Sequence, residues 1–348
     1  MSHDIPEMSH DIPKMSHAIP VTYVNKKQHL ELGKSYDIST DDIIFRETVK
    51  VIDEKSKKTL AVFLKNVIVD EKLIKAGRNL TTFKGVSQRR ADASGERRMI
   101  EPKSGRKKLV QLGVSAPSVM LGYEASDNYH PCRMTALTRK HREHFDNDTI
   151  SLVQHVSKLF EEYCPDEYVK QKQFILECNE EMILTDTVFT SLTVNMTWRT
   201  SLHVDKGDFR SGLGNLCCFK YGDYTGGEIM MPNYAIAFDL QEGDVLFMDV
   251  HEPHCNNKLE GEGRVSLICY AREQIKIRCK EAKKEDILNP ISYVKRQKRP
   301  KGPCVACGAT ETVEWRYTRD DKCLCNPCGL RYRNNNYVIV PPRSSQKK

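Results

Sequence analysis

Residues 189–205 read FTSLTVNMTWRTSLHVD, and the reading of this stretch decides the fold. It opens as a run of Thr, Val and Leu, breaks at Trp198-Arg199-Thr200, and ends in His203-Val-Asp205. From about Thr187 the same character recurs in VFTSLTVNM, NLCCFKYG, GEIMMP, YAIAFDL, DVLFMDV and RVSLICYAR, separated by Gly, Asp, Asn and Pro. Many short strands with turn signals between them indicate a β-sandwich or jelly roll. Upstream, Ile150, Val153, Val156, Leu159 and Phe160 fall at helical spacing in residues 149–163, with Asn147 or Asp148 placed to cap the start. A second helix is expected after Pro165, and Lys50–Leu64 reads as strand, polar turn, strand. The expected fold is mainly β with flanking helices (α+β).

The His-x-Asp at the end of the opening stretch has a partner pattern downstream. Two histidines and one carboxylate on one face are the ligand set of non-haem Fe(II) oxygenases, which keep the opposite face open for cosubstrate and O₂. A lone His-x-Asp says little, since about one is expected by chance. His144-Phe-Asp146 is the other one, and no β pattern surrounds it. His203-Val-Asp205 opens the strand series instead, and His251 and His254 follow in DVHEPHCNN. Ten residues beyond His254 stand Arg264 and then Ser266, in RVSLICYAR. An Arg at that place can hold the far carboxylate of 2-oxoglutarate in a bidentate fork. The ten-residue gap favours His254 over His251 as the distal ligand, because strand pairing must turn both side chains inward.

With these residues in view, the segment from Gly122 to Gln274 resembles the double-stranded β-helix (jelly-roll) dioxygenases, and within them the TET and base-J thymine hydroxylase group. The stretches that carry the resemblance are CRMTALT, FTSLTVNMTWRTSLHVDKGDF, YGDYTGGEIMMP, GDVLFMDVHEPHCNN and GRVSLICYARE. The resemblance implies Fe(II) on His203, Asp205 and His254, 2-oxoglutarate on Arg264 and Ser266, and O₂ as co-reactant. It also implies hydroxylation of a methyl group. If that group is a pyrimidine C5-methyl, the base must leave the duplex stack, and Tyr221, Tyr224 and Asn256 are candidates for its pocket. Cys255 departs from the pattern, because a Gly is expected in that turn.

Near the C-terminus, Cys304-x-x-Cys307 and Cys325-x-x-Cys328 form two close pairs separated by seventeen residues. Four thiolates so arranged bind tetrahedral Zn(II), and Cys323 falls outside the spacing. CVACGATETVEWRY and LCNPCGLRYR resemble the GATA zinc fingers. The resemblance places Asn326, Leu330, Arg331 and Arg333 against DNA, with Arg343, Lys347 and Lys348 in a basic tail. Asp321 stands where that family usually has Gly.

Charge points the same way. The formal net charge is +7, yet residues 291–348 hold 13 Lys/Arg against 4 Asp/Glu, so the rest of the chain is slightly acidic. A basic tail beside a metal module suggests a polyanionic partner. KRQKRPK, Lys295–Lys301, looks like a nuclear import signal or a phosphate-contacting linker. Residues 84–108 carry nine Lys/Arg against three acids and read as a strand-gripping loop or an insert. The chain opens with three heptapeptides, MSHDIPE, MSHDIPK and MSHAIPV, whose prolines exclude a coiled coil. Their His3, His10 and His17 read as a flexible repeat rather than a metal site. No apolar run approaches the roughly 18 residues that span a membrane, and the start lacks a signal-peptide h-region. The nine cysteines outside the finger pairs have no framework spacing, so reduced thiols in a cytoplasmic or nuclear compartment are expected.

The expected organisation is a repeat over 1–21, a β-rich accessory region with a basic loop over 22–110, and a dioxygenase domain over 111–275. A basic linker over 276–301, a zinc finger over 302–336 and a basic tail over 337–348 follow. The function expected is oxidation of thymine or 5-methylcytosine in DNA, in the nucleus. A chromatin protein hydroxylase or demethylase, and a non-enzymatic DNA-binding regulator, are the alternatives.

Overall fold

The computed structural model describes residues 18–87, 90–95, 97–100, 108–111, 115–127, 130–290, 302–318, 322–334 and 339. His3, His10, His17, Lys295–Lys301, Asp321, Arg343, Lys347 and Lys348 lie outside these residues. Contacts divide the chain into a large unit, running to Pro290 except for residues 128–130, and a second unit that holds the finger.

Two sheets build the large unit. The strands are β1 (Val21–Val24), β2 (Ile43–Phe45), β3 (Val49–Asp53), β4 (Thr59–Leu64), β5 (Ser118–Glu124), β6 (Ser191–Met196), β7 (Gly214–Lys220), β8 (Ile229–Met231), β9 (Ile236–Phe238), β10 (Val245–Met248), β11 (Cys255–Asn256) and β12 (Arg264–Tyr270). The major sheet runs β1-β3-β4-β10-β7-β12-β6-β5 and ends on Arg133–Met134. The minor sheet runs β11-β8-β9-β2. Three helices matter here: α1 (Glu71–Arg78), α2 (Ile150–Tyr163) and α3 (Pro165–Leu176). The segment N-terminal to the dioxygenase motifs is thus woven into both sheets. β3 and β4 extend the major sheet through β10, and β2 pairs in parallel with β9.

The long apolar runs have a simple cause: the major sheet is covered on both faces. Leu216 and Cys218 of β7 and Leu246 and Met248 of β10 pack between the sheets with Ile229, Ile236 and Phe238. Their neighbours Cys217, Phe219, Val245 and Phe247 face the other way, against the helices. α2 supplies Val153, Val156, Leu159 and Phe160 to that layer, and the Phe160 ring lies 5.4 Å from that of Phe247. α1 comes close enough that a Cβ on Gly77 would meet the Phe219 ring at 2.3 Å, so only glycine fits there.

Two expectations need correction. Neither Asn147 nor Asp148 caps α2, because the chain enters it directly from a wide helical turn over Phe145–Thr149. Asp148 lies 2.9 Å from His144 Nδ1 instead, and Asp146 pairs with Arg142. This also places His144-Phe-Asp146 in helical structure. The second correction concerns the thiols. Cys132 and Cys279 form a disulfide across 147 residues, with Cα atoms 5.7 Å apart. The remaining cysteines of the large unit are free, five of them buried. Among the described residues no helix is long and apolar enough to cross a membrane.

Candidate active site and zinc module

The site lies in a cavity of about 230 Å³ lined from both sheets, by Thr193, Ser266 and Ile268 of the major one and Ile229 and Asn256 of the minor. His203 follows β6 in a loop, and His254 precedes β11. The two backbones meet in an antiparallel bridge, with His203 N–H donating to His254 O and His254 N–H to His203 O, both at 3.0 Å. Asp205 N–H donates to Val250 O at 3.0 Å, which draws the carboxylate to the same point. The ligand atoms of His203, Asp205 and His254 all lie within 4.8 Å of one another.

The imidazoles are turned for metal binding by their own backbones. His203 Nδ1 lies 2.8 Å from Ser201 O and His254 Nδ1 3.0 Å from Glu252 O. A carbonyl can only accept, so each Nδ1 carries a proton and each Nε2 is the ring nitrogen turned toward Asp205. Burial, with His254 alongside, pushes the His203 imidazole down to about 4 and keeps it neutral. Burial pushes the Asp205 carboxyl up, but the hydrogen bond to His254 and the fields of His203, His254 and Arg90 outweigh it and hold the group below the carboxylate range. Burial pushes the His254 imidazole down, but the hydrogen bond and charge of Asp205 outweigh it and raise the group above its ordinary value. Two imidazole nitrogens and one carboxylate on one side of a pocket, once a metal takes the place of that proton, fit a hard-to-borderline divalent ion such as Fe(II). His251 stands apart, with Nε2 3.3 Å from Asp208 O and Nδ1 3.4 Å from Asp249 Oδ1.

β12 carries the next pair. Ser266, Ile268 and Tyr270 alternate onto the pocket face, while Val265, Leu267 and Cys269 pack on the helices. Arg264 is 3% exposed, and among the described residues its Nε and one terminal nitrogen have no hydrogen-bond partner. A buried guanidinium with unmet donors fits a carboxylate ligand such as that of 2-oxoglutarate. Gly227, at φ +80°, lies beside this arginine; a Cβ there would meet Leu259 Cδ1 at 2.6 Å and come to ordinary contact, 3.5 Å, with Arg264 Cδ.

The three residues expected in a base pocket part company. Asn256 does line the cavity, but its side-chain oxygen accepts from Thr200 Oγ1 at 2.7 Å and its nitrogen donates to Gly227 O at 3.1 Å. It therefore braces the turn. Tyr221 is 46% exposed outside the cavity, 3.2 Å from Thr197 Oγ1, because the strand has ended and its side chain turns outward. Tyr224 also lies off the cavity, with its hydroxyl 3.5 Å from Cys218 Sγ and beside Arg264. In their place the cavity holds Arg90, Asp208 and Arg272. Among the described residues Arg90 Nε is buried without a hydrogen-bond partner, and Arg272 Nη1 lies 3.2 Å from the Met120 sulfur. Burial and the neighbouring Asp205 push the Asp208 carboxyl well above its ordinary value. These three come from distant segments, so no spacing in the sequence links them.

In the finger unit, Cys304, Cys307, Cys325 and Cys328 bring their sulfurs within 4.8 Å of one another, and Cys323 stays outside the group. Four converging sulfurs fit Zn(II). The finger helix, Asn326–Asn334, packs on the strand Trp315–Tyr317, and Gly329 permits the approach, since a Cβ there would meet Arg316 at 2.4 Å. Two of the four residues expected against DNA have work inside the finger. Asn326 Oδ1 accepts from Arg316 Nε at 2.7 Å, and Arg331 donates to Cys328 Sγ at 3.1 Å. Leu330 is half-buried and Arg333 is exposed.

Comparison with known proteins agrees with this geometry. Residues 118–273 match the family described as the oxygenase domain of the 2OGFeDO superfamily (Tet_JBP), and residues 304–337 match the GATA zinc finger. The bifunctional helicase and thymine dioxygenase JBP2 of Trypanosoma brucei brucei is 31% identical over 253 residues, 70% of this chain and 23% of that protein. JBP2 of Leishmania braziliensis is 34% identical over 43% of this chain and 14% of its own length. Thymine dioxygenase JBP1 of Trypanosoma brucei brucei is 29% identical over 50% of this chain and 22% of its own. The chain thus spans less than a quarter of the length of these relatives. A solved structure of NgTET1 in complex with 5mC DNA superposes with a TM-score of 0.50 at 16% identity, covering 75% of this chain and 84% of that one, and shares the fold.

Proposed function

From a chain that carries a Tet_JBP-type oxygenase domain of the 2OGFeDO superfamily followed by a GATA zinc finger, we propose an enzyme that hydroxylates the C5-methyl group of thymine or 5-methylcytosine in DNA. Its cofactors are Fe(II), 2-oxoglutarate and O₂, with Zn(II) in the finger. The observation that carries the reading is the convergence of His203, Asp205 and His254 in one pocket, with Arg264 bearing unmet guanidinium donors two residues along the strand from Ser266, which lines that pocket. Relatives named thymine dioxygenases, and a fold neighbour bound to 5mC DNA, support a pyrimidine in DNA as the substrate.

In this reading His203, Asp205 and His254 hold the iron, which supplies the O₂ chemistry once 2-oxoglutarate is bound. Arg264 and Ser266 fix the far carboxylate of 2-oxoglutarate and so its orientation. Arg90, Asp208 and Arg272 face the pairing edge of an extruded base, where two guanidinium donors and a carboxyl group meet its oxygens, nitrogens and N–H. Both pyrimidines offer two acceptors and a donor along that edge, so the trio can engage either. Asn256 braces the turn behind His254 and leaves the pocket apolar at Ile229 and Ile268. Arg333 and the basic tail contact DNA phosphates, and the protein works in the nucleus.

Nucleoside mass spectrometry tests the assignment. Full-length protein is incubated with Fe(II), 2-oxoglutarate, ascorbate and duplexes carrying thymine alone or 5-methylcytosine. The expected product is one base gaining one oxygen, lost in a His203→Ala, Asp205→Ala double variant. Succinate formed with neither base changed would overturn the nucleic-acid substrate and favour a chromatin protein.

A further inference from the structure

The segment between β1 and β2 has no regular structure, yet it touches both loops that carry the iron-facing residues. Its path begins on the turn between β8 and β9, where Lys27 N–H donates to Asn233 O at 2.8 Å and Leu30 N–H to Asn233 Oδ1 at 3.0 Å. It then crosses the loop before His203. Gly33 N–H donates to Leu202 O at 2.7 Å, Leu202 N–H donates back to Lys34 O at 2.8 Å, and the Ser35 and Ser201 hydroxyls lie 3.0 Å apart. Arg199, in the same loop, reaches Tyr36 O and Asp37 Oδ1, both at 2.8 Å. The segment ends on the turn after His254, where Ile38 N–H donates to Asn257 Oδ1 at 3.2 Å and the Tyr36 main chain is hydrogen-bonded to the Cys255 sulfur.

The inner side of this segment closes a small apolar core of its own. Leu30, Leu32, Tyr36 and Ile38 pack on Leu202 and Cys255, the residues directly before His203 and directly after His254. Cys255 is 1% exposed there. Its side chain fills the space beneath the strap, which accounts for a residue larger than glycine in that turn.

We propose that residues 30–38 are a clamp on the iron site, setting the separation of His203 and His254 by holding the chain on either side of the ligand pair. The clamp rests on the iron reading of His203, Asp205 and His254. It acts on the ligands through Leu202, Cys255 and Asn257 without reaching the metal, so these strap residues position the site rather than take part in the reaction. Gly33 is its pivot. It sits at φ +82° and supplies the N–H that binds Leu202. Proline at 33 removes that donor and cannot adopt the angle.

Fe(II) binding to the full chain, measured anaerobically by titration of the visible band of the Fe(II)–2-oxoglutarate complex, tests the clamp. Partners that orient metal ligands typically change metal affinity by about 10- to 100-fold, so Gly33→Pro and Tyr36→Ala are each expected to raise the Fe(II) Kd by about tenfold or more. Leu159→Ala, which thins the core on the helix side, serves as the control. It is expected to lower the apo melting temperature while leaving the Kd unchanged. If Gly33→Pro fails to fold, Tyr36→Ala carries the test. Strap variants that bind iron as the unsubstituted protein does, or that weaken it no more than Leu159→Ala at equal loss of stability, overturn the clamp alone. Unsubstituted protein that binds no more iron than His203→Ala overturns the iron reading and the clamp with it.

Discussion

Arg264 begins a strand that continues through Val265 and Leu267, and among the described residues two of its nitrogens have no hydrogen-bond partner. A charge so placed is costly unless an anion arrives. Replacing it by Lys keeps the charge and loses the fork that grips both oxygens of a carboxylate. Hydrogen bonds to charged groups are worth about 1.5–3 kcal/mol. Arg264→Lys is therefore expected to raise the KM for 2-oxoglutarate by about tenfold or more, measured by succinate formation at saturating DNA. An unchanged KM would remove Arg264 as the anchor. That Arg264 lies in an apolar strand and that His203, Asp205 and His254 converge was legible in the sequence, because an Arg inside such a strand and a His-x-Asp at a strand exit are locally unusual. Tyr221 and Tyr224 misled. An aromatic residue near a turn points in or out according to where pairing stops, and β7 stops at Lys220, one residue before Tyr221.

The helices are an element-scale matter. α2 has period 3.6 and lays Phe160 between Phe189 and Phe247, with centroids at 6.4 and 5.4 Å. Truncating a buried phenylalanine costs about 3–5 kcal/mol, the transfer loss plus the cavity. Phe160→Ala should lower stability by that amount in urea denaturation of the full chain. A loss under about 1 kcal/mol would mean that the layer repacks around the gap. Strands and helices were readable because their periods differ, 2 against 3.6, and each run is long enough to show it. Element ends were less so. Asn147 and Asp148 satisfy the cap pattern, yet helical structure already precedes them, so the first turn has no open N–H groups for them to bind.

At the scale of the whole molecule, the finger and the oxygenase are separate units with separate chemistry. Structural zinc contributes about 10–16 kcal/mol of apparent folding energy to such small modules. Cys325→Ser should therefore release zinc and unfold the finger. Linking two sites on one ligand raises affinity by about 10²–10⁴, so duplex binding is expected to weaken by about 100-fold in a fluorescence anisotropy titration. Hydroxylation at saturating DNA should persist. Affinity that survives zinc loss would assign DNA binding to the oxygenase unit alone. The sequence by itself determined the ligand types, the cysteine pairs, the order of strands and helices, and the basic C-terminal region, because each is written within a few residues of its neighbours. Only the tertiary structure decided that residues 30–38 bind both ligand loops, that Arg90, Asp208 and Arg272 share a pocket, and that Cys132 meets Cys279. Those meetings depend on strand register and crossover between segments far apart in the chain, 147 residues for the disulfide. A period-2 pattern fixes which side chains face inward, but not which distant segment they will face.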